Sequence, residues 1–215
     1  METRAHTRKV SSSRKKTLKH KLPFLKHYQG ISGYDASIKN LKEHRTTYGE
    51  VDDKSLPVIN ELFNKYAPIN NIASSFRNFY DLGSGVGKLV IAMASMNPTL
   101  QSTGIEIVPD RLKNANIALE KINDTSISNR IEFLCISMLD DSINYLNACW
   151  IYISNLCLTI KVNNAIFDKL ANELKKGCII ICLCQTNNSF FKELDYINLP
   201  MSWDVKTKVY IYTKI

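Results

Sequence analysis

Short apolar runs and longer amphipathic segments alternate along the chain from about residue 55 onward. The short runs predict buried strands at residues 78–82, 102–108, 130–137, 149–155 and 178–185. Apolar positions at helical spacing predict helices at residues 55–66, 88–96, 109–122 and 163–177. The segment 201–215 predicts a closing strand or hairpin. This alternation of strand and helix predicts an α/β fold with an open, mainly parallel sheet.

Local signals place the start and the apolar face of two helices. Ser55 can cap the first helix, where Val58, Leu62 and Phe63 recur at helical spacing. Pro109 favours the start of the third helix, because its fixed φ suits the first helical position. The apolar positions that we expect this helix to bury are Leu112, Ile117, Leu119 and Ile122.

Three glycines fall within five positions between the first predicted strand and the next helix, in the stretch DLGSGVG from Asp81 to Gly87. Gly83 and Gly85 let the main chain bend sharply and approach a ligand, because no Cβ stands in the way. The following helix directs backbone N–H groups at that ligand. Glu106 ends the second predicted strand, where a carboxylate reaches the hydroxyls of a ribose. A dinucleotide fingerprint would need glycine where Lys88 stands.

The pattern D-x-G-x-G-x-G, with Glu106 and the succeeding strand–helix units, resembles motif I of class I S-adenosylmethionine methyltransferases. The resemblance implies a Rossmann-like fold with a mainly parallel, seven-stranded sheet flanked by helices. It also implies S-adenosyl-L-methionine as the cofactor. A tight structural turn without a ligand is the alternative reading of the glycines alone.

Further motifs resemble one family within this class. They are Tyr48-Gly49-Glu50, the glycine stretch about thirty residues later, SNLC from Ser154 to Cys157, and Ser202-Trp203 followed by VYIY. In this order they are similar to the DOT family of non-SET histone lysine methyltransferases, which act on the lysine-79 site of histone H3. The resemblance covers about residue 28 to the C-terminus. It implies a protein lysine methyltransferase that acts on nucleosomes.

Carried over position by position, the resemblance implies two sets of site residues. The cofactor set is Tyr48, Glu50, Asp81, Gly83, Ser84, Gly85, Gly87, Lys88, Glu106, Ser137, Met138 and Asn155. The set that lines the acceptor side is Tyr48, Ser154, Asn155, Trp203 and Tyr210, with ordinary core packing as the alternative for the aromatic residues. No general base is evident, and we expect His44 to lie in an exposed loop.

Three positions depart from the family pattern. The family has glutamine where Lys88 stands, and this lysine places a cation near the carboxylate end of the cofactor. The family has an aspartate for the adenine amino group where our alignment places Ser137, which can still form a hydrogen bond. Ser154 replaces the first asparagine of the family's NNF segment, while Asn155 keeps the second.

The positive charge of the chain is concentrated at its N-terminus. The net charge is +8, and residues 1–28 hold nine basic residues and one acidic residue, so the remainder is neutral overall. This basic arm, residues 1–28, has few large apolar residues and is expected to be disordered, ahead of a methyltransferase domain at residues 29–215. A basic arm suits a polyanion, and we expect it to contact nucleosomal DNA. A solubility tail, an import signal and a transit peptide are the alternatives.

Composition also bounds the cellular setting. The six cysteines lie among apolar residues without a CxxC pair, which favours reduced core thiols over a metal site. No apolar run is long enough for a membrane span, and the N-terminus lacks the apolar stretch of a secretory signal. We therefore expect an intracellular monomer, in the nucleus or wherever chromatin or viral DNA is accessible.

Other substrates remain open at the level of sequence. A lysine of a non-histone protein is one alternative. A nucleic-acid substrate, RNA in particular, is another, although the segment SNLC replaces the [DN]PP[YFW] motif of base-amino methyltransferases and the chain has no Pro-Cys pair. A non-catalytic nucleic-acid-binding module that kept the fold is a third.

Overall fold

The computed structural model of the protein describes residues 22–36 and 47–215, which form five α-helices and seven β-strands. The helices are α1 (Ser55–Tyr66), α2 (Lys88–Met96), α3 (Pro109–Glu120), α4 (Thr125–Ser128) and α5 (Ile160–Glu173). The strands are β1 (Asn78–Leu82), β2 (Gln101–Glu106), β3 (Ile131–Cys135), β4 (Ala148–Ile153), β5 (Ile179–Cys182), β6 (Phe191–Leu199) and β7 (Thr207–Lys214). No helix in these ranges has the length and apolar character needed to cross a bilayer.

All seven strands join one sheet in the order β3-β2-β1-β4-β5-β7-β6. The first five strands pair in parallel, whereas β7 runs antiparallel to both β5 and β6. The chain order reverses between β1 and β4, which is where open sheets of this kind form a crevice at the carboxyl ends of their strands. This architecture confirms the predicted α/β fold with a mainly parallel, seven-stranded sheet.

Helices cover both faces of the sheet, so the central strands are apolar along their whole length. On one face Phe63 of α1 stacks on Trp150 of β4, with 5.2 Å between the ring centroids. On the other face Phe167 of α5 packs edge-on against Phe191 of β6, with centroids 5.5 Å apart. Residues of β4 and β5 are all buried between these two layers.

The strands and helices fall close to their predicted positions, with three corrections. Ser55 does not cap α1: its Oγ donates to the carbonyl oxygen of Pro200, 2.7 Å away, and the helix is preceded by Lys54. Helix α3 buries Arg111, Ala115 and Ala118, while its larger apolar residues are only partly buried. Close packing of α3 on the sheet explains this, because small residues allow the backbones to approach. Strand β6 was not foreseen as a separate element.

The C-terminal end of the predicted basic arm belongs to the folded domain. Residues Pro23–Tyr28 form a 3-10 helix that buries Phe24 and Tyr28 in the core. The Tyr28 hydroxyl donates to the carbonyl oxygen of Val86, 3.1 Å away in the glycine turn. The boundary placed at residue 28 is therefore wrong for residues 22–28, whose aromatic side chains anchor them. Residues 1–21 and His44 lie outside the described residues.

The cysteines are less uniformly buried than expected. Cys149, Cys178 and Cys182 lie in the core, and burial raises the pKa of the Cys149 thiol to about 12. Cys135 is exposed, and Cys157 and Cys184 are partly buried. All six belong to the described residues and have free thiols. The prediction of core thiols is therefore confirmed for three of them only.

Candidate functional site

The glycine-rich turn connects β1 to α2 at the carboxyl edge of the sheet. The N–H groups of Gly83 and Ser84 both donate to the carbonyl oxygen of Ile105 on β2, at 2.8 and 3.0 Å, so the turn is fastened to the neighbouring strand. Gly85 has a φ of 55°, in the left-handed region that favours glycine. The helix α2 begins at Lys88, directly after the turn.

Glu106, at the carboxyl end of β2, is buried beside this turn. Its Oε2 accepts a hydrogen bond from the Gly85 N–H at 2.9 Å, and its Oε1 accepts one from the Val108 N–H at 2.8 Å. The Arg111 guanidinium lies 4.0 Å from Oε1. Each carboxylate oxygen keeps a second lone pair, so a bound hydroxyl can still donate to Glu106. The two amide hydrogen bonds fix the direction in which the carboxylate faces.

The segment 47–52, here called the YGE loop, lies across the glycine turn. The Tyr48 ring packs on Gly85 so closely that a Cβ at Gly85 would lie 2.6 Å from its Cε2. The Arg111 guanidinium lies over the Tyr48 ring, 4.5 Å from its centroid, and Tyr34 contacts the ring edge-on at 4.9 Å. A cation over an aromatic face and an edge-to-face pair both hold Tyr48 in one orientation.

Glu50 links this loop to the first residue of α2. Its Oε1 accepts a hydrogen bond from the Tyr48 hydroxyl at 2.8 Å, and its Oε2 accepts one from Lys88 Nζ at 2.6 Å. Asp53 lies 3.2 Å from the same ammonium group. Burial alone would lower the pKa of Lys88, but the hydrogen bond and charge of Glu50 raise the pKa above its ordinary value. Lys88 is therefore charged and already neutralised by carboxylates of the loop.

The YGE loop is also fastened to the segment between β6 and β7. Val51 forms an antiparallel bridge with Met201. The Ser202 N–H donates to the Glu50 carbonyl oxygen at 2.8 Å, and the Glu50 N–H donates to Ser202 Oγ at 2.9 Å. The Trp203 indole lies against Gly49, leaving no room for a Cβ there. Two motifs that are some 150 residues apart in sequence thus form one wall of the site.

Beneath the YGE loop lie two adjoining cavities that form one cleft. The first, about 210 Å³, is lined by a mostly apolar wall, with polar side chains from Glu106, Arg111, Ser137, Ser154 and two threonines at its edges; the apolar residues are Ile105, Ile107, Ile136, Met138, Leu139, Leu158 and Val162. The second, about 40 Å³, is lined by residues that include Glu50, Asp81, Ser84, Lys88, Tyr152 and Trp203. Tyr48, Gly49, Gly83 and Ser154 line both. An apolar slot that ends in a charged pocket suits an elongated ligand with a flat ring at one end.

Three buried polar atoms near the turn have no hydrogen-bond partner among the described residues: Asp81 Oδ1, Ser84 Oγ and Tyr152 OH. Burial and then the charge of Glu106 raise the pKa of Asp81 to about 8. Buried polar groups are normally paired, so each of these atoms can take a partner from outside the described residues. A ligand with an ammonium group would satisfy Asp81.

Comparison with known families decides the class. The family described as histone methylation protein DOT1 matches residues 37–200, about three quarters of the chain. The chain belongs to the DOT1 family. The match includes the YGE loop, the glycine turn and the segment after β4. No curated protein sequence matches the chain.

Solved structures show that this DOT1-family chain shares its fold with other methyltransferases. A methyltransferase from Geobacter sulfurreducens superposes with a TM-score of 0.60 at 12% identity, covering 93% of both chains. The glycopeptide N-methyltransferase MtfA, complexed with S-adenosyl-L-homocysteine, gives 0.58 at 10% identity, covering 77% of this chain and 92% of that one. For mitomycin 7-O-methyltransferase MmcR the TM-score is 0.53 at 14% identity, and the chain spans 54% of its length.

The family and the fold confirm the predicted class, a methyltransferase that uses S-adenosyl-L-methionine. The residues present fit this cofactor. Glu106 has lone pairs for the ribose hydroxyls, the apolar slot accepts a purine, and the unpaired Asp81 oxygen suits the amino group of the methionine part. Ser137 lies at the edge of the slot, where a hydroxyl can pair with the adenine edge.

The structure brings most of the sequence-predicted residues together. The cleft is lined by Tyr48, Glu50, Asp81, Gly83, Ser84, Gly85, Lys88, Glu106, Ser137, Met138, Ser154 and Trp203. Three predicted residues do not line it: Gly87, Asn155 and Tyr210.

Asn155 joins three elements behind the cleft. Its Oδ1 accepts hydrogen bonds from the N–H groups of Leu183 and Cys184, at 2.8 and 2.9 Å, and its Nδ2 donates to Asn163. Gly87 precedes α2 with a φ of 76°, and a Cβ there would collide with the Phe133 ring. Neither residue lines the cavities, and both shape the edge of the sheet that carries the site.

Tyr210 lies on β7 opposite Cys182 of β5, away from both cavities. Its ring neighbours that of Tyr196, with 6.5 Å between centroids, and Lys208 Nζ lies 4.9 Å from its centroid. The predicted place of Tyr210 on the acceptor side is not supported by this position. The sequence alone could not predict this position, because a shift of one residue along β7 moves a side chain to the other face of the sheet.

Sequence reasoning missed several residues of the cleft. Arg111, on α3, packs on Tyr48 and donates through Nε to the carbonyl oxygen of Gly33 at 3.2 Å. Tyr152 on β4 and Cys157 after it line the cavities. A basic residue five positions after Glu106 was the one available signal for Arg111. The sequence pattern indicated only that Tyr152 lies in a buried strand.

Proposed function

We propose that this protein transfers methyl groups from S-adenosyl-L-methionine to a lysine of nucleosomal histone H3, at the lysine-79 site. The observation that carries the proposal is the YGE loop: it closes over the glycine turn through Tyr48 and is fastened to Ser202 and Trp203. The two family motifs that would bracket a lysine channel thus border the same cleft. A lysine of another protein and an RNA are outcomes that the experiment below distinguishes.

S-adenosyl-L-methionine supplies a methyl group on a positively charged sulfur, open to attack by a neutral amine. In this proposal Glu106 accepts hydrogen bonds from the ribose hydroxyls and Asp81 accepts one from the ammonium group of the cofactor. Lys88 lies near the carboxylate end. Most of the rate enhancement in such a displacement comes from alignment of the reacting groups. The hydrogen bonds of Glu106 to two backbone amides keep the ribose contact preorganised.

A lysine acceptor must lose its proton before it can react. With a free pKa of about 10.4, roughly one lysine in a thousand is neutral at pH 7.4, which costs about 4 kcal/mol. The rings of Tyr48 and Trp203 present apolar surface at the cleft, and desolvation against such surface favours the neutral amine. Trp203 is 41% exposed, so it lies at the opening and can contact an incoming side chain.

The basic residues at the N-terminus supply the proposed contact with DNA. Residues 1–21 hold eight lysines and arginines and one acidic residue, Glu2. Neutralising DNA phosphates with such residues releases counterions and adds affinity without reading sequence. A small catalytic domain needs such a contact to stay on the nucleosome while one lysine enters the cleft. The protein would then act wherever chromatin is accessible.

An assay with S-adenosyl-L-methionine labelled in its methyl group identifies the methyl acceptor. The protein is incubated with nucleosomes, free histones, total RNA and a cytosolic extract in parallel, with Glu106→Gln as the inactive control. Label on histone H3 in nucleosomes, with little on free histones, supports the proposal. Label that appears on RNA, or mainly on a cytosolic protein, overturns the histone assignment and leaves the methyltransferase class intact.

Changing the eight basic residues of 1–21 to glutamine tests the DNA contact. We expect methylation of nucleosomes to fall at least tenfold and its salt dependence to flatten, while affinity for S-adenosyl-L-homocysteine stays unchanged. The matched control exchanges each lysine for arginine and each arginine for lysine, which keeps the charge. Equal activity of the glutamine variant and the wild type would remove the arm from substrate binding.

A further inference from the structure

Asp81 and Tyr152 lie side by side on neighbouring strands. The register of β1 and β4 pairs them directly, so their side chains share one face of the sheet. Both are buried, at 3% and 2% exposure, and both line the smaller cavity. Asp81 Oδ1 and Tyr152 OH each lack a hydrogen-bond partner among the described residues, so they do not bond to one another.

The third unpaired atom, Ser84 Oγ, is separate from this pair. A Cβ at Gly104 would lie 2.7 Å from it, so this hydroxyl lies against β2, although Ser84 also lines the smaller cavity. Asp81 and Tyr152 therefore offer the smaller cavity one unpaired carboxylate oxygen and one unpaired phenol side by side. Packing of the core does not require the Tyr152 hydroxyl, because a phenylalanine would fill nearly the same volume.

The phenol of Tyr152 is a neutral hydrogen-bond donor. Burial and then the charge of Asp81 raise its pKa well above the ordinary value, so it keeps its proton. Leaving such a buried hydroxyl and a buried carboxylate oxygen unpaired is unfavourable, and natural structures contain few such groups. The cavity of about 40 Å³ has room for about three water-sized groups and adjoins the larger cavity, with which it shares four lining residues.

We propose that Tyr152 binds the amino-acid end of the cofactor, with its hydroxyl donating to the carboxylate while Asp81 accepts from the ammonium. Lys88 lines the same cavity, but its ammonium group already forms ion pairs with Glu50 and Asp53. Among the described side chains that line this cavity, the Tyr152 hydroxyl is a buried donor without a partner, so it can donate to the carboxylate. This inference rests on the proposed use of S-adenosyl-L-methionine and assigns a residue that the family motifs do not include.

The Tyr152→Phe variant removes only the hydroxyl, and calorimetry with two ligands isolates its effect. S-adenosyl-L-homocysteine carries the amino-acid end, whereas 5′-methylthioadenosine lacks it. We expect Tyr152→Phe to bind S-adenosyl-L-homocysteine at least tenfold more weakly and 5′-methylthioadenosine as the wild type does. Without ligand, the variant should melt no lower than the wild type, because no described residue bonds to the hydroxyl.

Tyr80→Phe is the matched control, since Tyr80, on β1, is also a buried strand tyrosine, but its hydroxyl donates to Asn147 Oδ1 at 2.9 Å. It should lower the melting temperature and leave the ratio of the two affinities unchanged. If Tyr152→Phe weakens both ligands equally, lowers the melting temperature without ligand, or changes neither affinity, Tyr152 does not bind the amino-acid end. If the wild type binds neither ligand, the proposed function fails first.

Discussion

Glu50 and Lys88 form a mostly buried ion pair that joins the YGE loop to the start of α2, with 2.6 Å between Oε2 and Nζ. Both side chains are 19% exposed. The lysine stands at the first position of a helix, where the helix dipole disfavours a cation, so the pair compensates for an unfavourable position. The pair therefore ties closure of the loop to the residue that departs from the family pattern.

A double-mutant cycle on this pair should show strong coupling. Lys88→Met should lower the free energy of unfolding by about 2 kcal/mol, because Glu50 is left partly buried without a cation. Glu50→Gln should cost a similar amount, and the double variant less than the sum, by about 1 kcal/mol or more. Urea unfolding of the four proteins measures this.

The exposed pair between Lys65 and Asp195 serves as the control, because its side chains are 57% and 40% exposed. Solvent screens such a pair, so its cycle should show little coupling. If the coupling free energy between Glu50 and Lys88 is as small as that of the exposed pair, then Ser202 and Trp203 hold the loop without help from the ion pair.

Gly85→Ala should abolish cofactor binding through Tyr48. The new Cβ would lie 2.6 Å from the Tyr48 ring, so the YGE loop must move off the turn. Gly177→Ala is the control: its φ of 88° is also in the range that strains an L side chain, but nothing lies within 4 Å of its Cβ. Both variants should lose about 1–2 kcal/mol from strain, and Gly85→Ala alone should lose at least tenfold in affinity for S-adenosyl-L-homocysteine. Equal affinities by calorimetry would contradict the role of this contact.

The features that could be predicted from sequence are those encoded locally. Strand β1, the glycine turn and α2 follow one another without interruption, and each glycine marks a place where the backbone needs freedom. Glu106 could be placed because it ends a recognisable strand at a known spacing from Gly85. The family motifs added the YGE loop and Trp203, which the structure places at the same cleft.

The features that could not be predicted depend on contacts between distant segments. Tyr152 meets Asp81 only because β4 pairs with β1 in one particular register, and a shift of one residue would turn it to the other face. Asn155 matched a motif, but the loop after β5 supplies the N–H groups that occupy its Oδ1. The local sequence around Tyr152 or Asn155 does not reveal which distant residues they contact.

The affinity for S-adenosyl-L-homocysteine should rise with pH up to about 8. The pKa of Asp81 is raised to about 8 by burial and by Glu106, so below this pH the free protein holds a proton there. A bound ammonium favours the ionised carboxylate, so binding releases that proton, and affinity increases up to about tenfold per pH unit. Calorimetry from pH 6 to 9 measures this. Asp81→Asn should bind weakly at every pH; a wild-type profile without slope contradicts the ammonium contact.

The same raised pKa predicts how stability depends on pH without ligand. An unfolded aspartate titrates near 3.9, so between about pH 4 and 8 the folded state binds more protons than the unfolded state. Stability from this residue is therefore full below pH 4 and declines as pH rises towards 8. Thermal melts of the wild type and Asp81→Asn across this range give the difference. If Asp81→Asn shows the wild-type slope, another group causes it.

Glu106→Gln should weaken both S-adenosyl-L-homocysteine and 5′-methylthioadenosine at least tenfold, because both carry the ribose. The amide that replaces one oxygen would face a backbone N–H of Gly85 or Val108, so the variant should also lose about 1–2 kcal/mol of stability. Glu132→Gln, on the neighbouring strand β3, changes an exposed carboxylate and should alter neither quantity. Loss of affinity for both ligands separates Glu106 from Tyr152, whose variant should affect one. A Glu106→Gln protein that is less stable yet binds both ligands normally would show that this carboxylate only braces the turn.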